Sequence, residues 1–235
     1  MKFETFDSYE ALSARAAALL LDAIRAEPQI VLGLPTGRTP IGMYERVVAD
    51  CSREYRCFRE VTTFNLDEYV GIPSAHPGSY CAFMRQHLFN HVDLDPDNAH
   101  IPRGDAPDLE VECDRYEGEI RAAAGLGLTF LGLGSNGHIA FNEPGTPFDS
   151  RTRVVELSES TRAANQEVFG GNVPTHAITI GIGTILESAS IVLLAAGEKK
   201  RAALQRLQSG EVTEAFPASA LWRHAHVRVL WSAAA

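Results

Sequence analysis

The feature that most constrains the fold is an alternation of short apolar segments with amphipathic segments of helical period. Apolar runs bounded by turn residues predict buried strands, and they occupy Ile30–Leu34, Val61–Leu66, Leu128–Leu133, His176–Ile182, Ile191–Ala195 and Val227–Trp231. Apolar residues at helical spacing predict helices around Leu12–Ile24, Ile41–Val48, Tyr80–Leu88, Leu109–Ile120 and Ser160–Phe169. Strands that alternate with helices form parallel sheets covered on both faces. The sequence therefore predicts an α/β fold with a mostly parallel sheet.

Composition limits the organisation and the partners of this chain. Its 235 residues contain no repeat or linker, so we expect one domain over residues 1–235. The net charge of −9 argues against nucleic-acid binding, which needs a basic surface. The sequence has neither a signal peptide nor an apolar run long enough to cross a membrane, which favours a cytoplasmic protein. Its four cysteines have no zinc-ligand spacing, and we expect free thiols.

The segment Leu128–Gly145 concentrates polar residues directly after a predicted strand. Its Gly132–Gly137 part matches the GxGxxG pattern of dinucleotide-binding loops, but that loop must open a long helix. Pro144 interrupts any such helix, so we expect no nicotinamide or flavin cofactor. The segment instead indicates a catalytic loop at a strand end.

The Thr36–Thr39 turn is a candidate anion site. It follows a predicted strand, and Thr39 is a plausible N-cap with Pro40 in the first helical position. Backbone amides, two hydroxyl groups and a helix N-terminus could hold a phosphate there. Lys200 follows another strand and could reach the same edge of the sheet. A plain strand-to-helix turn, and a lysine that only faces solvent, are the alternatives.

Other polar features are less specific. Asp67 and Glu68 end the second predicted strand; since adjacent strand residues point in opposite directions, at most one enters a site directly. Residues 144–175 form an irregular polar region that is either a candidate lid or an ordinary surface excursion. The His87–His91 and His224–His226 pairs lack a third ligand, so we expect no metal site.

Three segments together resemble the glucosamine-6-phosphate deaminases, a family related to the 6-phosphogluconolactonases. These are LGLPTGRTP at Leu32–Pro40, FNLDEYVG at Phe64–Gly71 and GLGSNGHIAFNEPG at Gly132–Gly145. Shorter supporting segments are SRTR at Ser150–Arg153, TRAAN at Thr161–Asn165 and HAITIGIGTIL at His176–Leu186. The resemblance runs from about Ile30 to the last predicted strand, and it implies a Rossmann-like fold.

The resemblance also implies an activity and a set of site residues. The family converts glucosamine 6-phosphate and water to fructose 6-phosphate and ammonia without a cofactor. By resemblance, Asp67 moves a proton from C2 to C1 of the sugar, and His138, supported by Glu143 and Asn136, opens the sugar ring. The phosphate group would be held by the residues of the turn and by two further cations: Thr36, Gly37, Arg38, Thr39, Arg162 and Lys200. Whether Arg38 contacts the phosphate is left open.

The chain departs from part of the family at two positions. Some members have an aspartate where this chain has Asn136, so only Glu143 could be the anionic partner of His138. Members regulated by N-acetylglucosamine 6-phosphate carry a lysine where this chain has Val155, and a longer C-terminal segment. We therefore expect a non-allosteric enzyme that is a monomer or a small homo-oligomer.

Three alternative functions stay open at this point. A 6-phosphogluconolactonase needs a histidine that activates water but no C2 base. A deaminase of an epimeric amino-sugar phosphate, such as galactosamine 6-phosphate, would use the same residues. A sugar-phosphate-sensing transcription regulator would need a DNA-binding helix pair, and the roughly 30 residues before the first predicted strand are predicted to form only one helix.

Overall fold

The computed structural model describes residues 1–53, 57–164, 166–170 and 173–235. Its central sheet has seven strands: β1 (Lys2–Phe6), β2 (Val31–Leu34), β3 (Thr62–Asn65), β5 (Ala99–His100), β6 (Leu128–Gly132), β9 (Ser190–Ala196) and β10 (Val227–Ser232). All seven are parallel, and their order across the sheet is β1-β10-β9-β6-β2-β3-β5. The predicted α/β fold with a mostly parallel sheet is confirmed.

Helices cover both faces of this sheet and complete two core clusters. One face packs against α1 (Tyr9–Ala26), α2 (Ile41–Cys51) and α3 (Tyr80–His87). The other face packs against α4 (Leu109–Ala122), α7 (Ile182–Leu186), α8 (Arg201–Gln208) and a 3-10 segment at Pro217–Arg223. In the described residues, no helix is both long and apolar enough to cross a membrane.

A second sheet corrects the predicted position of the segment His176–Ile182. Its described strands are β4 (Asp67–Tyr69), β7 (Arg153–Glu156) and β8 (His176–Thr179), all antiparallel, in the order β4-β8-β7. The predicted fourth strand therefore lies outside the parallel sheet. A short apolar run fits a strand in either kind of sheet, because hydrophobic periodicity does not reveal strand partners. This small sheet presents Asp67 at the edge of the large one.

Three local expectations were wrong. The N-terminal segment was expected to be one helix, but β1 precedes α1 and pairs with β10, with Phe3 opposite Val229. This edge strand is only partly buried and so carries a weak apolar signal. Cys51 and Cys57 form a disulfide, with Cα atoms 5.5 Å apart, whereas free thiols were expected; Cys81 and Cys113 are free and buried.

The third correction concerns the start of α2. The N-cap is Pro40, which offers no side-chain cap, and Thr39 precedes it. Tyr9 of α1 supplies the missing contact: its Oη atom accepts from the Gly42 amide at 2.8 Å and donates to the Thr39 carbonyl oxygen at 3.0 Å. A side chain distant in sequence thus replaces the predicted local cap.

The candidate lid region, residues 144–175, contains β7 and the short helices α5 (Glu159–Ala164) and α6 (Gln166–Phe169). Both helices lie where the sequence predicts a helix, around Ser160–Phe169. Asn165, the last residue of the TRAAN segment, lies outside the described residues.

Candidate active site

Asp67 lies at the start of β4, directly after the chain leaves the central sheet. Its side chain is buried, with 6% exposure. Burial, together with the negative charge of neighbouring Glu68, raises the pKa of Asp67 to about 8. A carboxyl group with a pKa near neutrality can accept and return a proton at physiological pH, as a general base requires.

Glu68 has a structural task. Its carboxylate accepts hydrogen bonds from the backbone amides of Tyr80 and Cys81, at 2.9 Å each, in the first turn of α3. It also accepts from the amide of Tyr69 at 2.8 Å. Burial nevertheless raises the pKa of Glu68 above its ordinary value, although these amides act in the opposite direction. Of the two adjacent acids, only Asp67 remains available for chemistry.

The loop that follows β6 holds His138 beside Glu143. The His138 Nδ1 atom lies 3.4 Å from the Glu143 Oε1 atom, within ion-pair range but longer than a good hydrogen bond. The Asn136 Nδ2 atom donates to Glu143 Oε2 at 2.6 Å, and the Asn136 Oδ1 atom accepts from the His138 amide at 3.1 Å. Asn136 therefore links the acid to the backbone of the histidine.

The surroundings keep Glu143 ionised. Burial opposes the charge, but His138, Asn136 and the Thr161 hydroxyl together lower the pKa of Glu143 to about 2. Thr161 of α5 donates to Oε1 at 3.0 Å, and Ser158 donates to it at 3.2 Å. A permanently charged carboxylate beside an imidazole stabilises the protonated ring, so the pair can pass a proton in either direction.

Gly134 allows this arrangement. A Cβ atom on Gly134 would lie 2.5 Å from the His138 ring, where no side chain fits. The middle glycine of the GxGxxG match is therefore explained by close packing of the histidine, and the chain after it forms a turn rather than a long helix.

One residue of β8 connects the catalytic loop to Asp67. Thr179 is the strand partner of Asp67, and its Oγ1 atom accepts the Phe141 amide at 3.1 Å. Asn142 of the same loop donates to the Ile180 carbonyl at 2.9 Å. The base and the His138 loop thus share a single supporting segment, which brings together Asp67 and His138, 71 residues apart in sequence (138 − 67).

The Thr36–Thr39 turn follows β2 and precedes the 11-residue helix α2. Gly37 has a φ of 95°, a conformation that residues with a Cβ atom rarely adopt. The side chain of Thr36 faces the Tyr80 hydroxyl, and the Tyr80 ring stacks on Phe141 with centroids 5.9 Å apart. Tyr80 therefore joins the anion turn to the catalytic loop.

Two of the predicted phosphate-binding cations, Arg38 and Lys200, lie close to each other, and the third, Arg162, lies on α5 next to Thr161, which contacts Glu143. Burial lowers the pKa of Lys200, and the positive charge of Arg38 lowers it further, so the two cations lie close enough to repel each other. The buried Nε atom of Arg162 has no hydrogen-bond partner in the described part of the chain. An unpaired buried guanidinium nitrogen and two neighbouring cations are typical of a site built for an anion.

Sequence reasoning missed several residues that support the site. Tyr80 was assigned only to the apolar face of a helix, and Tyr9, Ser158 and Thr179 were not singled out. Their polar atoms act through contacts across the fold, which no local pattern reports. No group of three or more metal-binding side chains occurs in the ranges that the structure describes.

Comparison with known proteins agrees with this geometry. Residues 5–231 match the family model described as glucosamine-6-phosphate isomerases/6-phosphogluconolactonase. The chain is 49% identical to a glucosamine-6-phosphate deaminase of Lysinibacillus sphaericus, covering 98% of each chain. It is 50% identical to glucosamine-6-phosphate deaminase 2 of Bacillus subtilis, covering 98% of this chain and 94% of that one.

Solved structures give the same result. A monomeric glucosamine-6-phosphate deaminase superposes with a TM-score of 0.97 at 46% identity, covering 99% of this chain and 97% of that one. A 6-phosphogluconolactonase from Thermotoga maritima shares the fold at a TM-score of 0.78 and 20% identity, covering 98% of each chain. The chain belongs to the glucosamine-6-phosphate isomerase/6-phosphogluconolactonase family.

Proposed function

We propose that this protein is a glucosamine-6-phosphate deaminase, which converts glucosamine 6-phosphate and water to fructose 6-phosphate and ammonia. The observation that carries the proposal is the buried Asp67 carboxyl group with its raised pKa. Its strand, β4, pairs with β8, which also supports the His138 loop through Thr179. Lactone hydrolysis needs a histidine that activates water, but it needs no second base for carbon acid chemistry. The deaminase names of relatives near 50% identity support the same choice.

Substrate binding begins at the phosphate group. The amides and hydroxyls of Thr36–Thr39, together with Arg162 and Lys200, would bind the dianion through charge-assisted hydrogen bonds. The repulsion between Arg38 and Lys200 is relieved when a dianion lies near both, so Arg38 contributes at least through its charge. This local positive site allows an acidic protein to bind an anionic sugar.

Ring opening is assigned to His138. The imidazole takes the proton of the anomeric hydroxyl and delivers it to the ring oxygen, which breaks the bond between that oxygen and C1. Glu143 stabilises the imidazolium while it carries the proton, and Asn136 keeps the carboxylate in place. The product is an open-chain aldehyde with an acidic proton on C2.

Asp67 then carries out the isomerisation. Its carboxylate removes the C2 proton to give an enolamine and returns a proton to C1, leaving an imine at C2. Water adds to this imine and ammonia leaves, which yields fructose 6-phosphate. A substrate ammonium group beside Asp67 would favour the ionised carboxylate over the protonated form of the empty site. The substrate's own amino group moves the electrons, so we propose no cofactor.

Residues 144–175 are proposed to act as the lid of this site. Thr161 and Ser158 contact Glu143, and the Phe169 ring packs edge-on against Tyr69 with centroids 5.0 Å apart. The segment therefore contacts both Glu143, the partner of His138, and β4, the strand that carries Asp67. We further propose one domain, a monomer or small homo-oligomer, and a cytoplasmic location.

The experiment is incubation with glucosamine 6-phosphate, with ammonia and fructose 6-phosphate measured together. Equal amounts of the two products are expected. Hydrolysis of 6-phosphogluconolactone without release of ammonia would instead identify a lactonase. Galactosamine 6-phosphate, run in parallel, decides the epimer preference through the ratio of kcat/KM values.

A further inference from the structure

We propose that Asn65 is a positioning residue that holds the Asp67 carboxyl group through a bridging water molecule. The proposal rests on the proposed function, since it concerns the base of that reaction. Asn65 is the last residue of β3, two positions before Asp67. The sequence motifs assign no role to the Asn65 side chain.

The first observation is an unsatisfied buried amide. Asn65 is fully buried, and neither its Oδ1 nor its Nδ2 atom has a hydrogen-bond partner among the described residues. Its backbone carbonyl is satisfied by the Tyr116 hydroxyl at 2.8 Å, so the problem is confined to the side chain. Leaving one buried polar group unpaired costs about 1–3 kcal/mol. Such a side chain normally has a water or ligand partner.

The second observation places that amide on the same side of the chain as Asp67. Asn65 is the strand partner of Leu34, which belongs to the core cluster under α1 and α2. Phe64 and Leu66 lie in the opposite cluster. The chain bends at Leu66 as it passes from β3 to β4. The charge of Asp67 acts on Tyr44 of α2, which packs in the same cluster as Leu34, so Asn65 and Asp67 both lie on the α2 side of the fold.

The third observation concerns the charges around Asp67. Five titratable groups interact electrostatically with Asp67: Tyr44 of α2, Glu68 and Tyr69 of β4, Tyr80 of α3 and Tyr116 of α4. All of them are acidic groups, and no cation in the described part of the chain shifts the pKa of Asp67. A neutral donor is therefore the stabilising partner that this carboxylate can have in the empty site.

A water bridge satisfies both groups at once. The Asn65 Nδ2 group donates to the water oxygen, and the water donates to the Asp67 carboxylate, which stabilises the ionised base and fixes its direction. Asn65 and Asp67 are two residues apart on either side of the bend at Leu66, and neither Asn65 side-chain atom has a hydrogen-bond partner among the described residues, so we assign the connection to one water molecule. Asn65 thus acts on the reaction through Asp67 and need not touch the sugar.

The test compares N65L with T63V. Leucine has nearly the shape of asparagine without its polar atoms, so the fold should be retained. Thr63 is a matched control, because it is buried on the same face of β3, two residues further from Asp67, and its Oγ1 atom also lacks a described partner. Removing the donor should shift the rising limb of the kcat/KM profile to higher pH by about half a unit or more.

The expected result for N65L is a fall in kcat of about tenfold at pH 7 with little change in KM and no loss of Tm. T63V should leave the pH profile of the wild type unchanged. N65S, which can still hold a water, should recover part of the lost kcat. An N65L profile that matches the wild type, or a rise in KM alone, would overturn the proposal.

The two proposals fail differently. If wild-type protein releases no ammonia from glucosamine 6-phosphate, the proposed function fails. If the wild type is active and D67N is inactive, but N65L titrates like the wild type, only the role of Asn65 fails.

Discussion

At the scale of single residues, the site is defined by two carboxyl groups whose environments act in opposite directions. Burial raises the pKa of Asp67 to about 8, whereas His138, Asn136 and Thr161 outweigh burial and lower the pKa of Glu143 to about 2. One acid can exchange a proton near neutral pH, and the other stays charged. Two titratable groups with such separated pKa values are typical of divided acid–base roles.

The pH dependence of the reaction follows from Asp67. The base must be ionised in the free enzyme, so kcat/KM should rise with pH and level off above a pKa near 8. Glu143 is ionised throughout this pH range, so it adds no further pH dependence to kcat/KM. Initial rates between pH 6 and about 9.5 measure this profile. A plateau that already begins below pH 6 would contradict the assigned state of Asp67.

The same carboxyl group makes the fold sensitive to pH. A raised pKa means that the folded state binds a proton that the unfolded state releases, so stability falls as pH rises from about 4 to about 8. The D67N variant has no carboxyl group to titrate, so its stability should not fall with pH in this way. Each pKa unit is worth about 1.4 kcal/mol, and 1 kcal/mol moves Tm by about 2–4 °C in a chain of this size.

We therefore expect D67N to melt at least about 4 °C above the wild type at pH 9, with little difference near pH 4. Thermal unfolding at the two pH values measures this. An equal shift at both pH values would indicate a packing effect rather than a titration.

At the scale of elements, the site depends on supports that cross the fold. The first turn of α2 has no side-chain cap of its own, and the Tyr9 hydroxyl of α1 takes that position. Since α2 begins directly after the anion turn, α1 fixes that turn although it contributes no group to the site.

The Y9F variant tests this support. Loss of the hydroxyl removes the bonds to Gly42 and Thr39, while the ring and its packing remain. We expect KM to rise about threefold to tenfold with kcat nearly unchanged, and stability to fall by about 1 kcal/mol. Steady-state kinetics and urea unfolding measure the two effects. A fall in kcat at constant KM would show that Tyr9 acts elsewhere.

The lid segment makes a separate prediction. Phe169 stacks against His76 and packs edge-on against Tyr69, and aromatic pairs contribute about 0.5–1.5 kcal/mol each beyond their buried area. F169A should therefore speed proteolytic cleavage within residues 157–175 and raise KM. Mass spectrometry of limited digests locates the cleavage. The exposed Val111 provides a control, since V111A should change neither property.

The elements also show what the sequence could predict. The apolar runs located most strands within a few residues. The motif segments identified Asp67, His138 and Glu143 as candidate residues of one site. The partners of β8 were misplaced, and the short strands β1, β4, β5 and β7 were missed, because strand pairing depends on contacts distant in sequence. For the same reason Tyr9, Tyr80 and Asn65 became visible as support residues only through their contacts.

At the scale of the whole molecule, we propose that the enzyme is not allosterically regulated. Arg153 lies in the SRTR segment, and its Nη1 atom donates to the buried Asn142 Oδ1 atom at 2.9 Å. Val155, two residues on, is partly buried and packs beside Tyr69 and Phe141. Val155 stands where the family resemblance associates a lysine with regulation, and the nearby Arg153 already has a partner inside the fold.

We therefore expect hyperbolic kinetics that N-acetylglucosamine 6-phosphate leaves unchanged. Sedimentation should give a monomer near 25.6 kDa or a small oligomer, with the same specific activity at all dilutions. A sigmoidal rate curve that becomes hyperbolic with this effector would contradict the account.

The central claim is that Asp67 performs carbon acid chemistry on an amino-sugar phosphate. The most direct measurement follows ammonia release and C2-proton exchange in deuterated buffer for wild type and D67N, with binding of glucosamine 6-phosphate measured by calorimetry. We predict that the wild type shows both reactions, while D67N shows neither and still binds the sugar phosphate. Ammonia release or exchange by D67N at the wild-type rate would contradict the mechanism.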